Sequence, residues 1–126
     1  MSKDSKKRYD LGERTAKFAE AAIGFAKTIP RNVVNTSIIR QLVRSATSVG
    51  ANYCEADNAE SDNDFVHKMA ICRKEANETQ YWLRMVSKAE PDLRAEAREL
   101  WKEARELHLI FVAIIRKVRK RLQKSE

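Results

Sequence analysis

The residues best suited to chemistry in this chain are cations. Arg116, Lys117, Arg119, Lys120, Arg121 and Lys124 place six positive groups in nine residues, and Lys6, Lys7 and Arg8 lie near the other end. Groups of this kind bind phosphate, and each contact with a nucleic-acid backbone releases counterions and adds salt-sensitive, sequence-independent affinity. The net charge is +7, with +3 in residues 1–8, +5 in residues 116–126 and −1 in the stretch between. All the excess therefore sits at the two ends. Cations in the last turn of a helix also complement its dipole, at about 0.3–1 kcal/mol each, but six exceed that need. No aromatic residue is interleaved with them, which favours backbone contact over base stacking.

Other chemistry finds little material. Helical bundles hold di-iron sites through paired Glu-x-x-His motifs and two further carboxylates. Here Asp64 to His67 is one loose analogue without a second, and His108 and Glu106 point to different sides of a helix. Neither histidine has a partner at metal-ligand spacing, so no metal and no cofactor are expected. There is no nucleophile elbow and no glycine-rich phosphate loop, so no catalytic residue or small-molecule substrate is assigned. Cys54 and Cys72 are expected to be free thiols in a reducing compartment. Residues 1–8 lack the apolar segment of a signal peptide, and no apolar run approaches the ~20 residues of a membrane span. The expectation is a soluble, cytoplasmic, non-enzymatic protein with no membrane partner.

These side chains must be carried by helices, because apolar residues recur at alternating threes and fours. The four ladders are Leu11, Thr15, Phe18, Ala22, Phe25, Ile29; Ile39, Leu42, Ala46, Val49, Tyr53, Ala56; Phe65, Met69, Cys72, Ala76, Thr79, Leu83, Val86; and Leu93, Ala97, Leu100, Ala104, Leu107, Phe111, Ile114, Val118. They predict an all-α protein, a single domain over residues 1–126, with a basic arm at 1–8 and a basic tail at 119–126. Helix 1 is expected from near Asp10 to before Pro30, helix 2 from about Ser37 to Glu55, helix 3 from a Ser61 cap to about Ala89, and helix 4 from Pro91 to about Gln123. Connections of about five to eight residues are too short for crossovers, which predicts an antiparallel up-down-up-down four-helix bundle. That topology brings the two basic segments to one pole. Helix 4, some 45–50 Å long at ~1.5 Å per residue, is expected to project beyond the bundle.

Two sets of flanking residues carry further expectations. Beside the fourth ladder lie Trp101, His108, Ile110 and Ile115, an apolar excess that predicts a self-association interface. Beside the second and third lie Arg44, Asn52, Glu75 and Glu78, expected to form a polar network that fixes helix register, with Glu75 as partner for Asn52.

The run Gln41-Leu42-Val43-Arg44-Ser45-Ala46-Thr47-Ser48-Val49-Gly50-Ala51-Asn52, with Glu55-Ala56, Asp64-Phe65, Arg73-Lys74-Glu75-Ala76-Asn77-Glu78-Thr79 and Tyr81-Trp82-Leu83, resembles the bacterial four-helix-bundle proteins encoded in 23S ribosomal RNA intervening sequences. Tyr9-Asp10-Leu11, Glu13-Arg14-Thr15 and Phe18 look like the start of one branch of that family. The resemblance implies a homopentamer, and a fold similar to the basic pentameric accessory protein of diversity-generating retroelements, which works with a reverse transcriptase and nucleic acid. It supplies no catalytic residues, and the basic ends are not part of its signature. Two readings follow: an oligomer that binds RNA or DNA backbone through its basic pole, or a scaffold whose basic pole docks an acidic protein partner.

Overall fold

The breaks between helices are set by a few residues whose backbone or side chain stops a helical run. A computed structural model describes the backbone of residues 3–124 and the side chains of residues 11–124. Helix α1 spans Lys3–Ala26, α2 Val33–Asp57, α3 Asp62–Ala89 and α4 Arg94–Lys124, with a short 3-10 turn at Pro91–Leu93. Ser61 caps α3 as expected, its hydroxyl accepting from the Asp64 N–H at 3.0 Å, and Asp62 and Asp64 occupy the first turn, where the dipole favours acids.

Three boundaries differ from expectation. Helix α1 begins at Lys3 instead of near Asp10, because the residues before Asp10 include neither glycine nor proline. Helix α2 begins at Val33 instead of Ser37, because the Asn32 side chain accepts from the Asn35 N–H at 2.8 Å and starts the helix four residues earlier. Pro91 opens a separate 3-10 turn ahead of α4 instead of lying in its first turn.

The cross-helix contacts fix an antiparallel order. Asn35 at the start of α2 donates to Glu90 just beyond the end of α3, Arg44 reaches Glu75, and Glu55 meets Lys68, so α2 and α3 run in opposite directions. Arg121 near the end of α4 meets Asp62 at the start of α3. The third helix packs along both α2 and α4, while α1 packs on α2 and more lightly on α4. Arg14 strengthens that lighter side. Its Nε and Nη2 each donate at 2.8 Å to one carboxylate, that of Glu103, and Nη2 lies 3.1 Å from Glu106, which holds the guanidinium more firmly protonated than usual.

The core has two apolar compartments. The larger gathers Leu11, Phe18, Val49, Met69, Leu107 and Phe111 with their neighbours, and the smaller gathers Phe25, Ile29, Leu42, Leu83, Val86 and Ala97. Between them on α2 and α3 lie two buried hydroxyls, Ser45 and Thr79, 2.9 Å apart, and Thr79 also reaches the Glu75 carbonyl at 2.7 Å. Every buried side-chain polar atom among the described residues has a hydrogen-bond partner, as burial requires.

Candidate nucleic-acid interface

An antiparallel bundle brings the start of α1, the end of α2, the start of α3 and the end of α4 to one pole. The last three turns of α4 present their cations there. Arg116, Arg119 and Lys120 line a surface groove of about 280 Å³ together with Val112, Ile115 and Gln123. None of these three cations, nor Lys117 or Lys124, has an ion-pair partner among the described residues. Lys6, Lys7 and Arg8 fall on the α1 segment whose side chains lie outside the described residues.

The pole is less uniform than the charge count suggested. The α2–α3 corner contributes Asp57, Glu60 and Asp62, which line a polar pocket of about 440 Å³ with Ser61 and Phe65. Arg121 Nη2 lies 3.0 Å from Asp62 Oδ1, so this cation is engaged by the protein's own acid. Lys68 Nζ lies 3.0 Å from Glu55 Oε2, and that carboxylate raises the ammonium's pKa. The signal for the acidic corner was present in the sequence, since the same topology that joins the two basic ends also brings residues 57–62 to them. The end of α4 does not project beyond the bundle: Val118 is buried and Leu122 packs against the core.

The flank residues of α4 behave differently from the face expected of them. Ile115 is only 2% exposed and belongs to the bundle core, while Ile114 lies half-buried beside it. A straight helix with 3.6 residues per turn drifts about 20° per heptad, so a ladder begun at Ala97 arrives at Ile115 instead of Ile114. His108 is half-buried with Nδ1 3.1 Å from the Arg73 carbonyl, an arrangement in which Nδ1 carries the proton and donates across to α3. Ile110 is half-buried against the core. Trp101 is half-buried with the Arg105 guanidinium 5.7 Å above its ring. The large apolar residue that α4 does expose is Leu109, at 52%.

The polar network between α2 and α3 forms around Arg44. Its Nη1 donates to Glu75 Oε2 at 3.1 Å, Nη2 is paired with Glu78, and Nε donates to Gln41 Oε1 at 2.9 Å. Trp82 Nε1 donates to the same Glu78 oxygen at 2.9 Å. Asn52 stands apart from this network: its amide donates to the Ser48 carbonyl one turn earlier on its own helix, at 2.9 Å, and not to Glu75. The half-buried position leaves it able to satisfy itself locally. The buried amide that does tie elements together is Asn35, which donates to the Pro30 carbonyl at 2.8 Å and to Glu90 Oε2 at 3.2 Å.

Among the described residues, no group of three histidine, cysteine or acidic side chains is placed to hold a metal ion, and no helix is long and apolar enough to cross a membrane. The fold and the site define a class: a four-helix bundle with an internally paired polar belt and a cationic end to its last helix. The chain belongs to the 23S rRNA-intervening sequence protein family, whose model matches residues 7–113. It is similar to the crystal structure of a protein of unknown function from the S23 ribosomal protein family of Bacteroides thetaiotaomicron, at 32% identity, with 87% of this chain and 98% of that one covered and a TM-score of 0.76. No curated protein matches it. The family match ends before Arg116, so the cationic end of α4 lies outside the matched residues.

Proposed function

We propose that this protein is a non-enzymatic oligomer that binds RNA or DNA backbone through the end of α4, with the basic start of α1 beside it. The observation that carries the reading is the groove at Arg116, Arg119 and Lys120, cations with no acidic partner among the described residues, on a helix whose dipole amounts to about half a charge felt only in its last turn. Unpaired guanidinium and ammonium groups on a rigid helix bind phosphate oxygens without first breaking an ion pair. The family's description as 23S rRNA-intervening sequence proteins is compatible with this role. In a homopentamer the groove is repeated five times, and multivalency turns weak phosphate contacts into useful affinity.

The test is a titration of duplex and single-stranded RNA and DNA at several salt concentrations. Each phosphate contact contributes about 0.7 (single strand) to 0.9 (duplex) to the slope of log affinity against log salt. Arg116→Gln with Arg119→Gln and Lys120→Gln is expected to flatten that slope by roughly two to three and weaken binding to all sequences alike. Arg121→Gln is expected to do less, because Arg121 is already held by Asp62. Unchanged affinity and slope in the triple variant sink the reading. A stoichiometric acidic protein co-purifying in place of nucleic acid favours the scaffold.

A further inference from the structure

A second cationic site lies at the opposite pole, where α3 ends and α4 begins. Arg84 of α3 and Arg94 and Arg98 of α4 converge with the Trp101 side chain on a pocket of about 350 Å³ whose floor is the apolar pair Leu83 and Ala97. About twenty residues of α4 separate it from the groove at Arg119 and Lys120, or roughly 30 Å at 1.5 Å per residue. The two sites cannot share one phosphate.

Three features make this more than a solvated charged surface. All three arginines are exposed, and none has an ion-pair or hydrogen-bond partner among the described residues, although Glu90, Asp92, Glu96 and Glu99 are close in sequence. Arg94 opens α4 directly after the Pro91–Leu93 turn with its backbone N–H already donating to the Pro91 carbonyl, so what it offers an anion is its unpaired guanidinium. The lining is also mixed: an aromatic ring and an apolar floor lie beside the guanidinium groups, which a simple inorganic anion leaves unused.

We infer that this pocket binds a nucleoside phosphate, with its phosphate among Arg84, Arg94 and Arg98 and its base against Trp101. Guanidinium forks match phosphate oxygens, and a base stacked on an aromatic ring contributes about 1–3 kcal/mol in nucleic-acid sites. The volume admits one nucleotide and not a folded segment of a partner protein. The inference does not rest on the reading of the α4 end. The two fail separately, because they use different residues at opposite poles.

The experiment follows the fluorescence of Trp101 in full-length Trp82→Phe protein, where it is the one remaining tryptophan. AMP and UMP are titrated alongside adenosine and inorganic phosphate, with a six-nucleotide single strand as a second arm. Saturable quenching by AMP or by the strand is expected, adenosine should bind at least tenfold more weakly, and phosphate should compete without quenching. Quenching by the mononucleotide identifies a free nucleotide as the source, and quenching by the strand alone identifies a nucleotide within a chain. Arg84→Gln with Arg94→Gln and Arg98→Gln is expected to weaken binding more than tenfold, as is Arg98→Gln alone to a lesser degree. The exposed triple Lys17→Gln, Lys27→Gln, Lys74→Gln removes the same charge and should leave the titration unchanged. Three outcomes overturn the inference: no quenching by mononucleotide or strand, equal loss in both triple variants, or a Trp101 signal that responds to protein dilution but to none of the ligands, which would assign the pocket to self-association.

Discussion

At Glu75 a carboxylate is buried in the α2–α3 seam, and Arg44 is the side chain that makes this tolerable. Arg44 itself is 43% exposed, so the pair gains less than a fully buried one, but removing the cation strands a charge where water is scarce. Arg44→Ala is expected to cost about 2 kcal/mol in urea unfolding, and Arg44→Ala with Glu75→Gln to recover more than half of that. A double variant as unstable as the single would show that packing by the arginine stem, not the stranded charge, was at stake. Cys72 illustrates burial without a partner charge. Desolvation pushes its thiol pKa up to about 12 from an ordinary 9.0, while Cys54 is exposed. A native-state alkylating reagent should therefore modify Cys54 and spare Cys72 until the protein unfolds. The linked pH effect has a definite sign. The unfolded thiol ionises from about pH 9 whereas the folded one keeps its proton, so the contribution is complete below pH 9 and is lost as pH rises toward 12. Cys72→Ala should flatten that alkaline decline, and an unaltered decline would trace it to other groups.

Along the elements, the seam between α1 and α2 is held by small residues. A Cβ built on Gly50 would meet Thr15 Oγ1 at 3.4 Å and Thr15 Cβ at 3.5 Å, which is ordinary contact and not a clash. Glycine in a helix interior costs roughly 0.5–1 kcal/mol relative to alanine. Gly50→Ala should therefore raise the urea midpoint modestly, while Gly50→Leu should lower it. A fall with alanine would mean that α1 cannot yield by even a few tenths of an ångström. The helices themselves were legible because each ladder repeats over several turns; Leu42, Ala46, Val49, Tyr53 and Ala56 of α2 are all buried. Their phase was less so. Ile115 displaced Ile114 because helical pitch accumulates over α4, an effect that a strict heptad reading ignores. Asn35 was missed because its role depends on Glu90, 55 residues away, which no local pattern encodes. The candidate interface was half legible: the cations of α4 stand out in the sequence, but the loss of Arg121 to Asp62 follows only once both residues are placed at one pole.

The whole molecule presents charge at both poles and scattered exposed apolar side chains, Val33, Val34, Tyr81 and Leu109 among them, and this bears on assembly. Of the α4 residues first expected to face another copy, Ile115 is in the core, Ile110 packs against it and His108 is bonded to α3. That leaves half-buried Trp101, with Arg105 over its ring, and Leu109 with half-buried Val112 one turn along as apolar material on the outer side of α4. A contact this small cannot alone hold a stable assembly, since specific interfaces bury about 800 Å² per partner. Leu109 should act as the anchor of a larger, mainly polar surface, and truncating such an anchor commonly costs 2 kcal/mol or more of association. Five copies of a 14.5 kDa chain weigh about 72 kDa, well separated from the monomer by light scattering. Leu109→Lys is expected to shift the mass toward 14.5 kDa at micromolar concentration with helicity intact, because residue 109 lies outside the core. The same variant should weaken binding to long nucleic acids far more than to short ones, since only the long strand can span several grooves at once. A monomeric mass for the unmodified protein would remove assembly from the proposed function and leave a single groove, whose affinity would then rise with strand length only in proportion to the number of sites the strand offers.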